Sequence, residues 1–284
     1  MANIRLIRRR IRGIESTAKI TRAMEMIAAS RMRKAQERGL AGRPYSEKIT
    51  QVIGALSNLS GAEQIHPLLE RRQPKNIYLI LITPDRGLAG GLVSNLTRKV
   101  AEFILGQKVP VKIIAVGQKG IDFARRTGRP IVAEFSKLGD QPDLRSTLPA
   151  SRIVIDDFIK GECDEVYIAY ARFVNTMVQE PEIKRLIPVE PASLAKGTTP
   201  EYIFEPNPQE VLGGLLPRFI EMEVYHTILE SIASEQSARM VAMRNATNNA
   251  YELIGGLTLL YNKARQESIT EELLDIVGGA EALT

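Results

Sequence analysis

The distribution of proline constrains the fold of this chain more than any other sequence feature. The 284 residues include 15 prolines, yet none precedes Pro44 and none follows Pro217. Because proline interrupts helices, both ends can form long unbroken helices around a proline-dotted middle. A single helix from Arg218 to Thr284 would span on the order of 100 Å at about 1.5 Å per residue. A helix of that length needs a partner along its side, so the sequence predicts a rod joined to a globular part.

Both ends carry mostly apolar stripes in steps of four and three, the a/d spacing of a coiled coil. In the tail the stripe runs through Leu229, Ala233, Gln236, Met240, Met243, Thr247, Ala250, Ile254, Leu257, Tyr261 and Ala264. At the start it runs through Ile4, Ile7, Ile11, Ile14 and Ala18, and then shifts to Ile20, Met24, Ala28, Met32 and Ala35. A stutter in the heptad pattern, or a straighter helix, would produce such a shift. The two stripes predict an antiparallel two-helix coiled coil; the alternative is that each helix packs separately on a globular core.

The middle of the chain alternates between predicted strands and predicted helices. Apolar, β-branched runs suited to a sheet buried on both faces occupy residues 77–83, 111–116, 131–135 and 166–174. Helical stretches occupy residues 91–103, 118–126 and 144–160. This order predicts a Rossmann-like parallel sheet, followed by a linker with five prolines from Pro188 to Pro208. The expected domains are an N-terminal coiled-coil helix (1–60), an α/β domain (75–205) and a C-terminal coiled-coil helix (209–284).

The glycine-rich turn at residues 85–91 is the one place that suggests a nucleotide site, because it links a strand to a helix. Its spacing matches neither G-x-G-x-x-G nor the P-loop pattern, so tight-turn glycines explain it better. His66 and His226 are the only histidines, and neither has a nucleophile or metal-ligand cluster near it in the sequence. Cys163 is the only cysteine, which excludes an internal disulfide. The sequence therefore predicts no active site, no metal and no cofactor.

The first helix is strongly basic. Up to Arg43, ten arginines and two lysines oppose three glutamates, a net charge of +9 from 12 minus 3. Such a segment can bind nucleic acid, an anionic membrane or an import receptor, and a basic coiled-coil adaptor is the main alternative function. No helix-turn-helix, zinc spacing or aromatic platform accompanies the arginines, and no apolar run reaches the roughly 20 residues of a membrane span.

Five segments together resemble one family, the gamma subunits of F-type rotary ATP synthases. The resemblance covers the whole chain, in the family's order. The segments are KITRAMEMIAASRMRK (19–34), TPDRGLAGG (83–91), SEQSARMVAM (234–243), YNKARQES (261–268) and ITEELLDIVGGA (269–280). The pair Gly255-Gly256 departs from the pattern, because relatives usually carry polar helix formers there.

The resemblance implies a central stalk that couples proton flow to ATP synthesis or hydrolysis by rotation. The implied partners are three alpha and three beta subunits around the coiled coil, with the epsilon subunit and the c-subunit ring at the globular foot. The implied location is the cytoplasmic face of a bacterial cell membrane, with membrane attachment only through partners and no nucleic acid bound. The motifs place Arg239, Gln266 and Met24 at beta-subunit contacts, with Arg239 and Gln266 sharing one loop contact. Tyr202 and Glu205 match the foot contact with the c ring.

Overall fold

The computed structural model describes residues 4–57, 66–189, 205 and 207–281. The chain divides into two compact units. Residues 1–28 and 240–284 form the first, called here the two-helix unit, and residues 29–239 form the second, called the α/β unit. The domain boundaries expected from the sequence stay a proposal.

Within the described residues the chain forms five α-helices, one 3-10 helix and five strands. The α-helices are α1 (Ile4–Ser57), α2 (Leu92–Gly106), α3 (Gln118–Arg126), α4 (Leu144–Lys160) and α5 (Pro208–Glu281). The strands are β1 (Ile77–Ile82), β2 (Val111–Val116), β3 (Ile131–Phe135), β4 (Glu165–Phe173) and β5 (Gln179–Ile187), and the 3-10 helix is Pro67–Leu69. The four predicted strands and three predicted internal helices are confirmed, with ends shifted by at most three residues.

The sheet has the order β3-β2-β1-β4-β5. Its first four strands are parallel, as the sequence predicts, but β5 runs antiparallel to β4. The purely parallel sheet expected from the sequence is therefore wrong at this edge. The sequence does not predict β5 as a strand, because Pro181 and several charged residues occupy it and most of its residues are only half-buried. An edge strand tolerates proline because one side of its backbone has no strand to pair with.

Each face of the sheet has its own core. On one face, Ile77, Leu79 and Leu81 of β1 pack with apolar residues of α2 and α3. On the other, Tyr78, Ile80 and Ile82 join α4, the second half of α1 and the first part of α5. Because side chains alternate along a strand, burial on both faces explains why β1 is an unbroken apolar run.

Gly117 shows how closely the loops approach at the carboxyl edge of the sheet. It follows β2 with a φ of 98°, and a Cβ atom there would lie 1.9 Å from the carbonyl oxygen of Thr83. Only glycine satisfies both the positive φ and the contact. The loops after β1 and β2 are thereby held together.

The two-helix unit is antiparallel, as predicted. Thr21 faces Thr247, whereas Glu25, four residues later in α1, faces Arg244, three residues earlier in α5. The predicted seam of α5 is confirmed from Met240 to Ala264, where every member is buried or half-buried.

The predicted shift of the α1 stripe is wrong. Ile20 is 58% exposed, whereas Thr21 and Glu25 are buried. A series of buried or half-buried positions continues the steps of four and three without a stutter, through residues 7, 11, 14, 18, 21, 25, 28, 32 and 35, with residues 24, 29 and 31 half-buried beside it. The sequence does not predict this register, because two of its residues, Thr21 and Glu25, are polar. Each is buried against a hydrogen-bond partner in α5.

Both long helices continue through a proline. Pro44 lies inside α1 and Pro217 inside α5, so helix is not confined to the proline-free ends. A proline inside a helix costs roughly 3 kcal/mol, but residues such as Ile53 and Leu216, which flank these prolines, are fully buried in the core. Packing of this kind outweighs local propensity. The predicted linker at residues 188–208 lies mostly outside the described residues.

Candidate functional site

The turn at residues 85–91 is built by backbone contacts. The Asp85 carboxylate accepts hydrogen bonds from the backbone N–H groups of Gln118 (2.9 Å) and Lys137 (2.9 Å). Its charge therefore ties the loops that follow β1, β2 and β3 together. A carboxylate at this position disfavours a phosphate, which supports the structural interpretation of the glycines.

Three consecutive contacts from α5 cover this edge of the sheet. Gln236 donates to the Asp140 carboxylate (3.0 Å), Ser237 to the carbonyl of Thr176 (2.8 Å), and Arg239 to the carbonyl of Gly87 (3.2 Å). The accepting loops follow β3, β4 and β1. Open α/β sheets bind their ligands at this carboxyl edge, and here the chain's own helix occupies it.

Arg239 is a buried residue, 9% exposed. Besides the Gly87 carbonyl, it pairs with the Glu235 carboxylate at 2.7 Å, one helical turn earlier. Burial raises the pKa of Glu235, and the adjacent guanidinium opposes that rise. The side chain predicted to reach a beta subunit thus makes two contacts inside the α/β unit.

The other predicted site residues have different environments. Gln266 is exposed on α5, and Met24 is half-buried on α1. α5 is helical throughout residues 239–266, and 27 residues of α-helix rise about 40 Å. A shared loop contact would have to reach across that length of helix, and the contact expected for Arg239 and Gln266 stays a prediction. Glu205 is exposed, and Tyr202 lies outside the described residues.

The two-helix unit exposes many large apolar side chains. Among them are Met26 and Ile27 of α1 and Tyr251, Leu253, Leu259, Leu260, Leu273, Leu274, Ile276 and Val277 of α5. Arg5, Arg8, Arg9, Arg10 and Arg12 are exposed on α1. Apolar surface of this extent is typical of protein–protein contact. The seam already buries the side chains that hold the two helices together, so the exposed set is free to contact other proteins.

The remaining reactive residues have structural environments. His66 accepts a hydrogen bond on Nδ1 from the backbone N–H of Leu68 (3.2 Å) at the start of the 3-10 helix. Cys163 is fully buried, and burial raises the pKa of its thiol to about 12, so it packs as an apolar residue. The described residues contain no group of three or more His, Cys, Asp or Glu side chains suited to a metal ion. None of the described helices combines the length and apolarity of a membrane span.

Sequence reasoning missed two groups of residues that the structure brings together. Arg31 forms an ion pair with Asp140 (2.7 Å), the same carboxylate that Gln236 contacts. His226 and Glu230 of α5 line a cavity. Gln236 belongs to the predicted stripe of α5, but its partner and those of the other residues lie far away in the sequence. No local pattern therefore predicts these contacts.

Known proteins match the chain over its whole length. A family model described as ATP synthase matches residues 3–283. The ATP synthase gamma chain of Dehalococcoides mccartyi strain CBDB1 is 65% identical over 284 residues, covering all of both chains. The chain belongs to the ATP synthase gamma chain family. The gamma chain of Roseiflexus castenholzii is 50% identical over 287 residues and covers 100% of this chain and 99% of its own length.

Solved structures of ATP synthase rotors share the fold of this gamma chain. A chain from the central stalk and c ring of the Tetrahymena thermophila mitochondrial enzyme has a TM-score of 0.60 and 25% identity, covering 80% of this chain and 99% of that one. A chain from the F1 and c-ring structure of the Euglena gracilis enzyme has a TM-score of 0.71 and 22% identity, covering 99% and 94%. The sequence resemblance is confirmed. This gamma chain is the central stalk of a rotary F-type ATP synthase and part of an ATP-synthesising complex.

Proposed function

We propose that this chain is the torque-bearing rotor of its complex and contributes no catalytic group of its own. Three alpha and three beta subunits surround the two-helix unit. The α/β unit, with the epsilon subunit, contacts the c ring at the cytoplasmic face of a bacterial cell membrane. Proton flow turns the stalk, and each orientation favours a different conformation of each beta site. Such coupling requires contacts that differ between the states.

The exposed apolar surface of the two-helix unit is the observation that carries this proposal. Leu259 is 73% exposed and Ile276 68% exposed, although both belong to a helix with a well-packed seam. Exposed side chains of this size need cover from a partner, and a surrounding ring supplies it on all sides. The exposed arginines of the first turns of α1 add charge, so that the same surface contacts acidic loops of the ring.

The covered edge of the sheet supports the absence of catalysis. Asp85, Arg239 and the α5 contacts fill the place where a nucleotide would bind. ATP hydrolysis would then come from the beta subunits alone. The purified chain, freed of alpha and beta, is expected to show no ATP turnover, and measurable turnover by the pure subunit would contradict this part of the proposal.

Among the proposed beta-subunit contacts, Gln266 gives the cleanest test, because it is exposed and its side chain makes no recorded contact among the described residues. Gln266→Ala should leave the fold unchanged and lower the ATPase rate of the complex. Arg239 and Met24 also belong to this proposal, as do Tyr202 and Glu205 for the c ring. An Arg239 variant also loses the contacts to Glu235 and Gly87, so its fold must be measured separately.

Copurification tests the partners directly. A tagged chain, coexpressed with the other subunits of its complex, should recover alpha and beta subunits. Leu259→Glu should lower that recovery because it places a charge on the proposed contact surface. Leu105→Glu is the matched control: Leu105 is 77% exposed on α2 of the α/β unit, and its variant should recover alpha and beta normally. Equal recovery with both variants would overturn the proposed surface. Recovery of nucleic acid without either subunit would favour the basic adaptor.

A further inference from the structure

The α/β unit contains a cavity of about 600 Å³. It is lined by residues 35–40 of α1, by residues 223–233 of α5, and by Phe173 and Lys184 of β4 and β5. Small-molecule sites typically have volumes of about 300–1,000 Å³. Leu40, Phe173 and Leu229 contribute apolar side chains to the lining. The volume falls within this range, and the rotor function makes no use of the cavity.

Glu230 is the second carboxylate on the wall, beside Glu223. Glu230 accepts a hydrogen bond on Oε1 from the backbone N–H of Phe173 (3.1 Å). No ion pair to Glu230 occurs among the described residues. Burial raises the pKa of this carboxyl above its ordinary value. Glu230 is half-buried, and this backbone N–H is its one hydrogen-bond donor within the part of the chain that the structure describes.

The other polar groups of the wall leave Glu230 without an ion pair among the described residues. Lys184 is paired with Glu223, so its ammonium is already neutralised. Burial lowers the pKa of His226, with opposing effects from Glu223 and Lys184, and its imidazole is therefore neutral at pH 7. Its Nε2 atom has no hydrogen-bond partner among the described residues. Of the two carboxylates on this wall, Glu230 is thus the one outside an ion pair among the described residues, although Lys184 and Arg172 lie near enough to lower its pKa against the effect of burial.

We propose that the cavity binds a small organic cation, an ammonium group on an apolar body, with the Glu230 carboxylate as its anchor. The ammonium donates to the carboxylate oxygen that Phe173 leaves free, and the apolar body packs on Leu40, Phe173 and Leu229. Charge-assisted hydrogen bonds of this kind are stronger than neutral ones. A bound cation would join α1, α5 and the sheet. The site is independent of the rotor function, so its test uses the purified full-length chain and no partner subunit.

Calorimetric titration of the purified chain with two amines, phenethylamine and hexylamine, tests the proposal. At least one amine should bind at pH 7, whereas the neutral phenethyl alcohol and the anionic 3-phenylpropionate should not. Glu230→Gln keeps the shape of the side chain and should weaken amine binding about ten- to hundredfold, the range expected for losing a charged hydrogen bond. Glu252→Gln, an exposed position on the same helix, is the matched control and should bind as the unmodified chain does.

A second variant keeps the test decisive if Glu230→Gln disturbs the fold. Leu40 is 55% exposed at the cavity, so Leu40→Trp should fold normally and narrow the cavity without touching the carboxylate. It should weaken amine binding at least tenfold. The proposal is overturned if neither amine binds, if the alcohol binds as tightly as the amine, or if both variants bind amine with unchanged affinity. Circular dichroism of each variant establishes that its fold is intact.

Discussion

The hydroxyl groups of Thr21 and Thr247 lie 2.7 Å apart and share a hydrogen bond inside the seam of the two-helix unit. Each hydroxyl is also within reach of a carbonyl of its own helix, Ala18 for Thr21 (3.1 Å) and Met243 for Thr247 (2.8 Å). One turn further along α1, Glu25 accepts from Arg244 at 2.9 Å. Polar pairs in an otherwise apolar seam determine which residues of two helices face each other. These two pairs therefore specify the register of α1 against α5.

Replacing the threonines tests how this pair contributes. Thr21→Val or Thr247→Val alone should lower the free energy of unfolding by about 1 kcal/mol, because the remaining hydroxyl loses its partner across the seam. The double variant should lower the free energy of unfolding by less than the sum of the two single losses. Valine matches threonine in shape, and in the double variant no hydroxyl remains without its partner across the seam. Urea unfolding of the purified chain measures all three. Thr258→Val, an exposed position with its own helical hydrogen bond to Ile254, is the control; strictly additive losses would contradict the prediction.

The buried ion pair of Glu235 and Arg239 gives a second prediction. Arg239→Ala should destabilise the chain by about 2–4 kcal/mol, because it leaves a largely buried carboxylate without its cation. The pKa of Glu235, already raised by burial, should rise further in this variant. Adding Glu235→Gln should recover part of the loss by removing the unpaired charge. Arg265→Ala, at an exposed position of α5, should change stability little, and an equal loss there would show that the pair is not the cause.

The glycine pair in α5 gives a prediction of increased stability. Gly255 and Gly256 are both helical, and apart from the adjacent residues and the backbone of their own helix no atom of the described chain lies within 4 Å of a Cβ built on either. Replacing both with alanine should raise the free energy of unfolding by about 1–2 kcal/mol through helix propensity. Circular dichroism melts measure this change. ATPase rates of the reconstituted complex should stay normal, unless a beta-subunit loop approaches the glycines, in which case the complex assembles poorly or turns slowly.

Gly42 is the matched control for that substitution. It also lies within a long helix, but a Cβ there would lie 2.2 Å from Cε1 of His226. The half-buried imidazole must shift to admit the methyl group, so Gly42→Ala should lower the stability of the chain, by about 1 kcal/mol. A stabilised Gly42→Ala chain would show that propensity alone decides both outcomes.

The raised pKa of Glu230 predicts a pH dependence. The folded state holds this proton more tightly than the unfolded chain, so the stabilising contribution is complete below the ordinary pKa and is lost as pH rises through the raised folded value. Glu230→Gln should remove that loss, and its stability relative to the unmodified chain should increase as the pH rises across this range. The difference between the two chains isolates Glu230 from His226, whose lowered pKa acts in the opposite direction. Glu252→Gln should leave the pH profile unchanged.

The sequence predicted the elements whose apolar residues follow a regular pattern. The strands β1 to β4 are apolar runs buried on both faces, and the α5 seam from Met240 to Ala264 is a run of regular steps, so each is recognisable from the chain alone. The whole-chain resemblance identified the family for the same reason, because its motifs are local. Of the predicted site, the described residues show only where Arg239, Gln266, Met24 and Glu205 lie. Their contacts with partner subunits stay predictions.

Only the tertiary structure shows which residues are buried or exposed against the expectation from their polarity. Thr21 and Glu25 belong to the α1 seam, while the more apolar Ile20 is exposed, because each polar side chain meets a partner from the other end of the chain. β5 forms despite a proline and charged residues, because an edge needs only one neighbour. Arg239 turns inward because Glu235 and the carbonyl of Gly87 together satisfy its charge and hydrogen bonds. Local sequence records the polarity of a residue, whereas its burial depends on partners that lie up to 226 residues away.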